Sequence, residues 1–150
     1  MDQLPDGMVL VLADDDRPAR MSFKGLLRQA CLNANKDTSV ILGETYQEAA
    51  SVARTVCDLA TVHGHEKVIL ICDQNMNEYE EGEVLGTTVT KEARARGFKG
   101  LICIRSANDD SKSVKSYANA GANAALSKKL KVKELAEEIV VQYWESGGIQ

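Results

Sequence analysis

Five short apolar runs recur along the chain, and longer stretches of mixed polarity separate them. The runs cover residues 8–13, 40–42, 68–72, 101–104 and, most weakly, 124–126. Continuous apolar runs of this length are typical of strands that are buried on both faces of a sheet. The pattern therefore predicts five buried strands.

The stretches between and after these runs carry apolar residues three or four positions apart. One such set comprises Ala49, Val52, Ala53, Val56, Cys57 and Ala60. This spacing puts apolar side chains on one face of a helix. It predicts helices around residues 23–31, 49–60, 114–121 and 132–143, and a less regular helix from about Val84 to Arg96 that ends at the glycines of RGFKG.

Strands and helices thus alternate, which predicts an α/β fold with a parallel sheet between two helical layers. Because crossovers are right-handed, few arrangements remain. We expect a single doubly wound (βα)5 domain whose five-stranded parallel sheet has the order 2-1-3-4-5. The domain is expected to occupy residues 1–150, with its core at about 8–143 and a loose tail, ESGGIQ.

Composition narrows the functional classes. The chain has 18 basic and 22 acidic residues and a net charge of −4, which argues against nucleic acid as the main partner. No stretch approaches the roughly 20 apolar residues of a membrane span, and the N-terminal MDQLPDG lacks a signal-peptide pattern. We expect a cytoplasmic protein with no membrane partner.

Acidic residues follow two of the predicted strands. Asp14 and Asp15 come after the first strand, and Asp73 comes after the third. In the 2-1-3-4-5 order, ligands bind beyond the carboxyl ends of these two strands. Three carboxylates in one cleft raise one another's pKa unless a cation joins them. Mg²⁺ accepts carboxylate ligands and leaves room for phosphate oxygens, so the sequence predicts a magnesium site.

Hydrogen-bond donors follow the last two strands. The fourth strand leads into Arg105 and Ser106, and the fifth leads into Ser127 and Lys128. A hydroxyl and an ammonium at this edge can stabilise the negative charge that is spread over the oxygens of a transferred phosphoryl group. Because carboxylates form aspartyl-phosphates, Asp73 is the predicted phosphoacceptor.

This joint placement resembles the response-regulator receiver domains of two-component signalling, which form the CheY-like superfamily with a flavodoxin-like fold. Asp14 and Asp15 match the family's acidic pair, and Asp73 matches its phosphoacceptor. Ser106 matches the family's switch hydroxyl, and Lys128 matches its lysine. Asn75 matches the residue whose backbone carbonyl usually completes the metal shell. The resemblance runs from about Met8 to Tyr143.

The resemblance implies a phosphorelay function. A histidine kinase or histidine phosphotransfer protein would phosphorylate Asp73 in a Mg²⁺-dependent reaction, and the chain would catalyse its own dephosphorylation. The metal ligands would be Asp14, Asp15, Asp73 and Asn75. Phosphorylation would switch a surface that binds a downstream protein, which the sequence does not identify.

The chain departs from the family pattern at three positions. Asn77 and Lys129 stand where prolines are usual, and Ala125 replaces the aromatic residue that usually precedes the lysine by three positions. The second proline commonly follows a cis bond, and a non-proline cis bond costs about 3 kcal/mol. We expect that the loop after Lys128 either differs or holds strain. Because Ala125 has no ring, we expect the signal to travel through the loop after Ser106.

Two other functions fit parts of the pattern. A haloacid-dehalogenase-like phosphatase would use Asp14 as its nucleophile, with Asp14-x-Asp16 and the NDD segment at residues 108–110 as its acids. That family normally has Thr or Val where this chain has Pro18, and Asp73 would then have no role. A receiver-like scaffold that is never phosphorylated would explain the lost prolines and aromatic residue. It would leave the filled catalytic positions unexplained.

Overall fold

The computed structural model describes residues 2–108 and 110–146. Asp109 of the NDD segment and residues 147–150 of the predicted tail lie outside the described residues. In chain order the elements are β1 Val9–Ala13, α1 Arg17–Leu27, β2 Val40–Leu42, α2 Tyr46–Ala50, α3 Val52–His63, β3 Val68–Asp73, β4 Asn75–Tyr79, β5 Gly82–Leu85, α4 Gly86–Ala95, β6 Leu101–Ser106, α5 Ser111–Ala120, β7 Ala124–Ser127 and α6 Val132–Glu145.

Five parallel strands form the main sheet in the order β2-β1-β3-β6-β7. They are the five apolar runs, so the predicted α/β fold and the predicted order 2-1-3-4-5 are confirmed. The aligned pairs near the strand ends are Ala13 with Cys72, Asp73 with Arg105, and Ser106 with Ser127. The carboxyl ends of β1, β3, β6 and β7 therefore meet at one edge of the sheet.

The core has two layers, one on each face of this sheet. Because side chains alternate along a strand, Leu10 and Leu12 of β1 pack with α1 and α6, whereas Val9 and Val11 pack with α3 and α4. All residues of β1, β3 and β6 are buried. These continuous apolar runs reflect strands that are covered on both faces, and their rigid packing fixes the polar residues at their ends.

The start of α1 accounts for one of the three consecutive acids. Asp16 is the N-cap, and its Oδ2 accepts a hydrogen bond of 3.1 Å from the backbone N–H of Ala19. Pro18 lies in the first turn, where its missing N–H leaves no helical hydrogen bond unmade. Asp16 therefore stabilises the helix, and the two acids before it remain available to the cleft.

An antiparallel hairpin of β4 and β5 follows β3, and the sequence analysis did not predict it. Val84 and Leu85 pair with Met76 and Asn75, so the predicted helix from about Val84 is wrong at its start. The helix begins at Gly86. Gly82, the first residue of β5, has a φ of +140°, a value that glycine adopts without strain.

None of the helices within residues 2–108 and 110–146 combines the length and the apolar character that crossing a bilayer requires.

Candidate functional site

The three predicted acids converge at the carboxyl edge of the sheet. Asp14 follows β1 and is fully buried, Asp73 ends β3 and is 3% exposed, and Asp15 is half-buried. One carboxylate oxygen of each lies within 4.8 Å of the others. The acids converge because β1 and β3 are neighbours in the sheet and Ala13 pairs with Cys72, which puts the residues that follow them side by side.

Lys128 forms ion pairs with two of these acids. Its Nζ lies 2.8 Å from Asp73 Oδ1 and 3.5 Å from Asp14 Oδ2. The backbone N–H of Lys128 also donates to the carbonyl of Ser106, which fixes the end of β7 beside β6. Burial by itself lowers the pKa of Lys128, but the hydrogen bond to Asp73 and the charge of Asp14 raise this pKa above its usual value.

The pKa values of two of these carboxyl groups are raised. Burial raises the pKa of Asp73 to about 7; the hydrogen bond from Lys128 opposes this effect and the charge of Asp14 adds to it. Burial also raises the pKa of Asp14, although the backbone N–H of Asp16 donates to its Oδ1 at 2.9 Å. The site therefore holds more negative charge than its own cations stabilise.

Two buried carboxylate oxygens make no hydrogen bond within the described part of the chain. They are Asp14 Oδ2 and Asp73 Oδ2. A buried charged oxygen that makes no hydrogen bond is unfavourable, and a hard divalent cation binds such an oxygen. The donor set, three carboxylates within a few ångströms, fits Mg²⁺.

Asp15 also contacts the unpredicted hairpin. Its Oδ2 accepts backbone hydrogen bonds from Asn77 at 2.8 Å and Glu78 at 3.0 Å, both in β4. Asn75 begins β4 two residues beyond Asp73. The acid that would bind a metal thus also contacts the middle of β4, a connection that no pattern in the sequence indicates.

The hairpin has a second attachment at Tyr79. Its hydroxyl donates to the carbonyl of Gly43, just after β2, and its ring lies edge-on to Tyr46 with 6.1 Å between centroids. Together with the Asp15 contacts, this attachment holds β4 against the loops that follow β1 and β2, next to the acids.

Ser106 is buried at the end of β6, and its Oγ accepts two hydrogen bonds. One comes from the backbone N–H of Asn108 at 3.0 Å, and the other comes from the Tyr117 hydroxyl at 2.9 Å. Tyr117 lies on α5 and is 4% exposed. The apolar spacing over residues 114–121 predicts the helix that carries Tyr117 but gives no indication of a polar partner for its hydroxyl.

Arg105 is the other residue whose role the sequence analysis missed. It is 8% exposed, and its Nη1 lies 3.6 Å from Asp14 Oδ2. Its guanidinium carbon lies 5.6 Å from the centre of the Phe23 ring. The signal available in the sequence was a basic residue directly after the fourth apolar run, at residues 101–104, and one position before Ser106.

The structure shows the local conformation at two positions that depart from the family pattern, Lys129 and Ala125. Every peptide bond among the described residues is trans, so the Lys128–Lys129 bond is trans, and the Ser127 hydroxyl accepts from the Lys129 N–H at 3.1 Å. The loop thus differs from the family's usual loop.

Ala125, which replaces the family's aromatic residue, pairs with Ile104 in the sheet. The aromatic residue that contacts Ser106 is Tyr117 of α5, through its hydroxyl.

Two of the acids proposed for a phosphatase cap helices in the structure. Asp110 is the N-cap of α5, and its carboxylate accepts from the N–H and the hydroxyl of Ser113. These hydrogen bonds lower the pKa of Asp110. Asp110 and Asp16 both cap helices, and Asp109 lies outside the described residues.

Solved structures with the same fold include response regulators and their receiver domains. The chemotaxis response regulator CheY4 of Vibrio cholerae is 19% identical, with 90% of this chain and 98% of that chain covered and a TM-score of 0.60. The receiver domain of the Francisella response regulator 1452 is 15% identical, with coverages of 93% and 99% and a TM-score of 0.64.

The signal receiver domain of a modulated diguanylate cyclase from Desulfovibrio desulfuricans G20 is 14% identical, with coverages of 97% and 100% and a TM-score of 0.67. No protein-family model and no curated protein sequence matches the chain. Likeness at these identities shows the fold, which is that of response-regulator receiver domains.

Proposed function

We propose that this chain, which has the receiver fold, is a phosphoacceptor domain of a two-component phosphorelay. A histidine kinase or a histidine phosphotransfer protein transfers a phosphoryl group to Asp73 in the presence of Mg²⁺. The modified domain then presents a changed surface to a downstream protein. A cytoplasmic location is part of the same proposal.

The observation that supports this function most strongly is the environment of Asp73. One oxygen of its carboxylate is paired with Lys128 at 2.8 Å, and the other has no hydrogen-bond partner within the described residues. Two further acids lie beside it. A carboxylate of this kind can act as a nucleophile because the lysine and a metal share its charge.

In the proposed reaction an oxygen of Asp73 attacks the phosphorus of a phosphohistidine. The new O–P bond forms as the P–N bond breaks, and the histidine ring keeps the electron pair. Mg²⁺, held by Asp14, Asp15, Asp73 and the Asn75 carbonyl, would supply positive charge to the phosphoryl oxygens. The Lys128 ammonium neutralises the same oxygens from the side of β7.

Access to Asp73 requires a small rearrangement. Asp73 is 3% exposed, whereas the Lys128 side chain that contacts it is 31% exposed. A donor reaches the carboxylate only after side chains at the mouth of the cleft shift. Lys128 is the side chain best placed to do so, because its ammonium can remain paired with Asp14 while it moves.

Ser106 links the acceptor to α5. Its hydroxyl oxygen accepts from Tyr117, which leaves its own proton free to donate to a phosphoryl oxygen. A shift of Ser106 toward the phosphoryl group pulls on two partners, the backbone of Asn108 and the Tyr117 hydroxyl. The loop after β6 and the middle of α5 would therefore move together.

Chemical phosphorylation tests the proposal. The protein is incubated with Mg²⁺ and acetyl phosphate, reduced with borohydride to trap any acyl phosphate, and mapped by peptide mass spectrometry. Label at Asp73, absent in Asp73→Asn, supports the receiver function. Label at Asp14 would instead indicate a phosphatase-like nucleophile, and no label would favour an unphosphorylated scaffold.

A further inference from the structure

Arg105 puts a second permanent cation into the acid site. In the sheet it is aligned with Asp73 of β3 on one side and with Leu126 of β7 on the other. Its side chain is 10% exposed. Arginine does not lose its proton in proteins, so a full positive charge is buried at the carboxyl edge of the sheet.

The contacts of Arg105 show where this charge is compensated. Asp14 Oδ2 lies 3.6 Å from its Nη1, and the Phe23 ring provides a face for the guanidinium at 5.6 Å. Its Nε has no hydrogen-bond partner within residues 2–108 and 110–146. Burying a charge is unfavourable unless an opposite charge accompanies it. The position of Arg105 thus depends on Asp14.

Asp14 Oδ2 in turn has two cations at nearly equal distance. Lys128 Nζ is 3.5 Å away and Arg105 Nη1 is 3.6 Å away. The site therefore contains three acids and two cations, and both cations are paired with Asp14. The negative charge that this carboxylate offers to a metal is partly neutralised before any metal arrives.

We propose that Arg105 is a positioning residue that acts through Asp14 and lowers the affinity of the site for Mg²⁺. It holds Asp14 toward β6 and competes with the metal for its charge, so that occupancy of the site depends on the Mg²⁺ concentration. The proposal rests on the proposed function, since it takes the three acids to be the magnesium site.

Magnesium titrations of Arg105 variants test this role. Arg105→Met keeps an unbranched apolar stem against Phe23 and removes the charge, and Arg105→Gln removes the charge while keeping polarity. Both are expected to bind Mg²⁺ on the order of tenfold more tightly than the wild type, as measured by calorimetry and by amide shifts of residues 14–16. Arg105→Lys keeps the charge and is expected to stay near the wild-type affinity.

Controls distinguish the effect of the Arg105 charge at the site from the effects of net charge and of lost stability. Arg54→Met removes an exposed arginine on α3 and is expected to leave the Mg²⁺ affinity unchanged. Trimethylamine oxide is added to every titration, because it favours the folded state and keeps a destabilised variant measurable. A merely structural arginine would give variants that bind Mg²⁺ more weakly, in step with their loss of stability.

A double-mutant cycle with Asp14→Asn identifies the route of the effect. If Arg105 acts through Asp14, removing the arginine changes the affinity far less in the Asp14→Asn background than in the wild type. An unchanged or weaker affinity in both neutral Arg105 variants would overturn the inference alone. Absence of Mg²⁺ binding in the wild type and all variants would overturn both the inference and the proposed metal site.

Discussion

Among single residues, Asp73 combines two opposing properties. Phosphoacceptor chemistry needs its carboxylate form, yet burial raises its pKa to about 7 in the absence of metal. Its ordinary value is 3.8, so between pH 4 and pH 7 the folded protein keeps a proton that the unfolded chain releases. The free energy of unfolding therefore falls as the pH rises through this window.

We predict that the metal-free wild type loses about 2 kcal/mol of stability between pH 5 and pH 8 through this group. Asp73→Asn cannot titrate and should lose less than half as much. Mg²⁺ should flatten the wild-type curve, because the metal favours the ionised carboxylate. The measurement is urea denaturation in EDTA and in Mg²⁺ at both pH values. Parallel pH curves for the two proteins would contradict the prediction.

The positions of the acids, the hydroxyl and the lysine could be predicted from sequence because each follows a buried strand. Strand ends meet at one edge of a parallel sheet whatever the side-chain details are. Arg105 and Tyr117 belong to the same site but could not be assigned. Their roles depend on which neighbour each long side chain reaches, and apolar periodicity contains no information on that choice.

At the scale of elements, the β4–β5 hairpin shows where periodicity misleads. Leu85, Val89 and Ala93 are four residues apart, and this spacing continues across the boundary between β5 and α4. It therefore predicts one helix where the structure has a strand followed by a helix. The preceding residues are mostly exposed, so the hairpin lacks the clear alternation that would identify its strands.

We predict that Tyr79→Phe loosens the hairpin without unfolding the protein. The variant keeps the ring contact with Tyr46 but loses the hydrogen bond to Gly43, at a cost of about 1 kcal/mol. Amides of residues 75–85 should exchange faster, while those of β3 keep their protection. Tyr46→Phe is the matched control, and equal effects of the two variants would contradict the assigned hydrogen bond.

The Asp15 contacts also predict that the hairpin responds to the metal. When Mg²⁺ is added, the amides of Asn77 and Glu78 should shift because they donate to Asp15, a proposed metal ligand. Asp15→Asn keeps an oxygen that can accept from them but loses a charge. It should lower the Mg²⁺ affinity at least tenfold and abolish phosphorylation while the fold persists. Phosphorylation at the wild-type rate would show that Asp15 is not a ligand.

Across the whole molecule, the question is how a change at Asp73 reaches a distant surface. α5 packs against α4 and β7, and its Tyr117 hydroxyl is bonded to Ser106 at the sheet edge. The same serine accepts from the N–H of Asn108 in the loop that leads to α5. One buried hydroxyl is thus shared by the proposed phosphoryl site, the loop and the helix. Such a shared group can couple them without a rotating ring at position 125.

We predict that beryllofluoride, a phosphoryl mimic, shifts the amides of residues 111–120 in the wild type and that Tyr117→Phe greatly reduces this response. Phenylalanine keeps the buried ring but cannot donate to Ser106, so the cleft can change without pulling on α5. Shifts at Asp14 and Asp73 should persist in the variant, which shows that the mimic is still bound. Ser106→Ala removes the shared hydroxyl and should silence both the loop and the helix. If residues 111–120 respond equally in all three proteins, the signal bypasses this hydrogen bond and reaches α5 through the backbone of the loop.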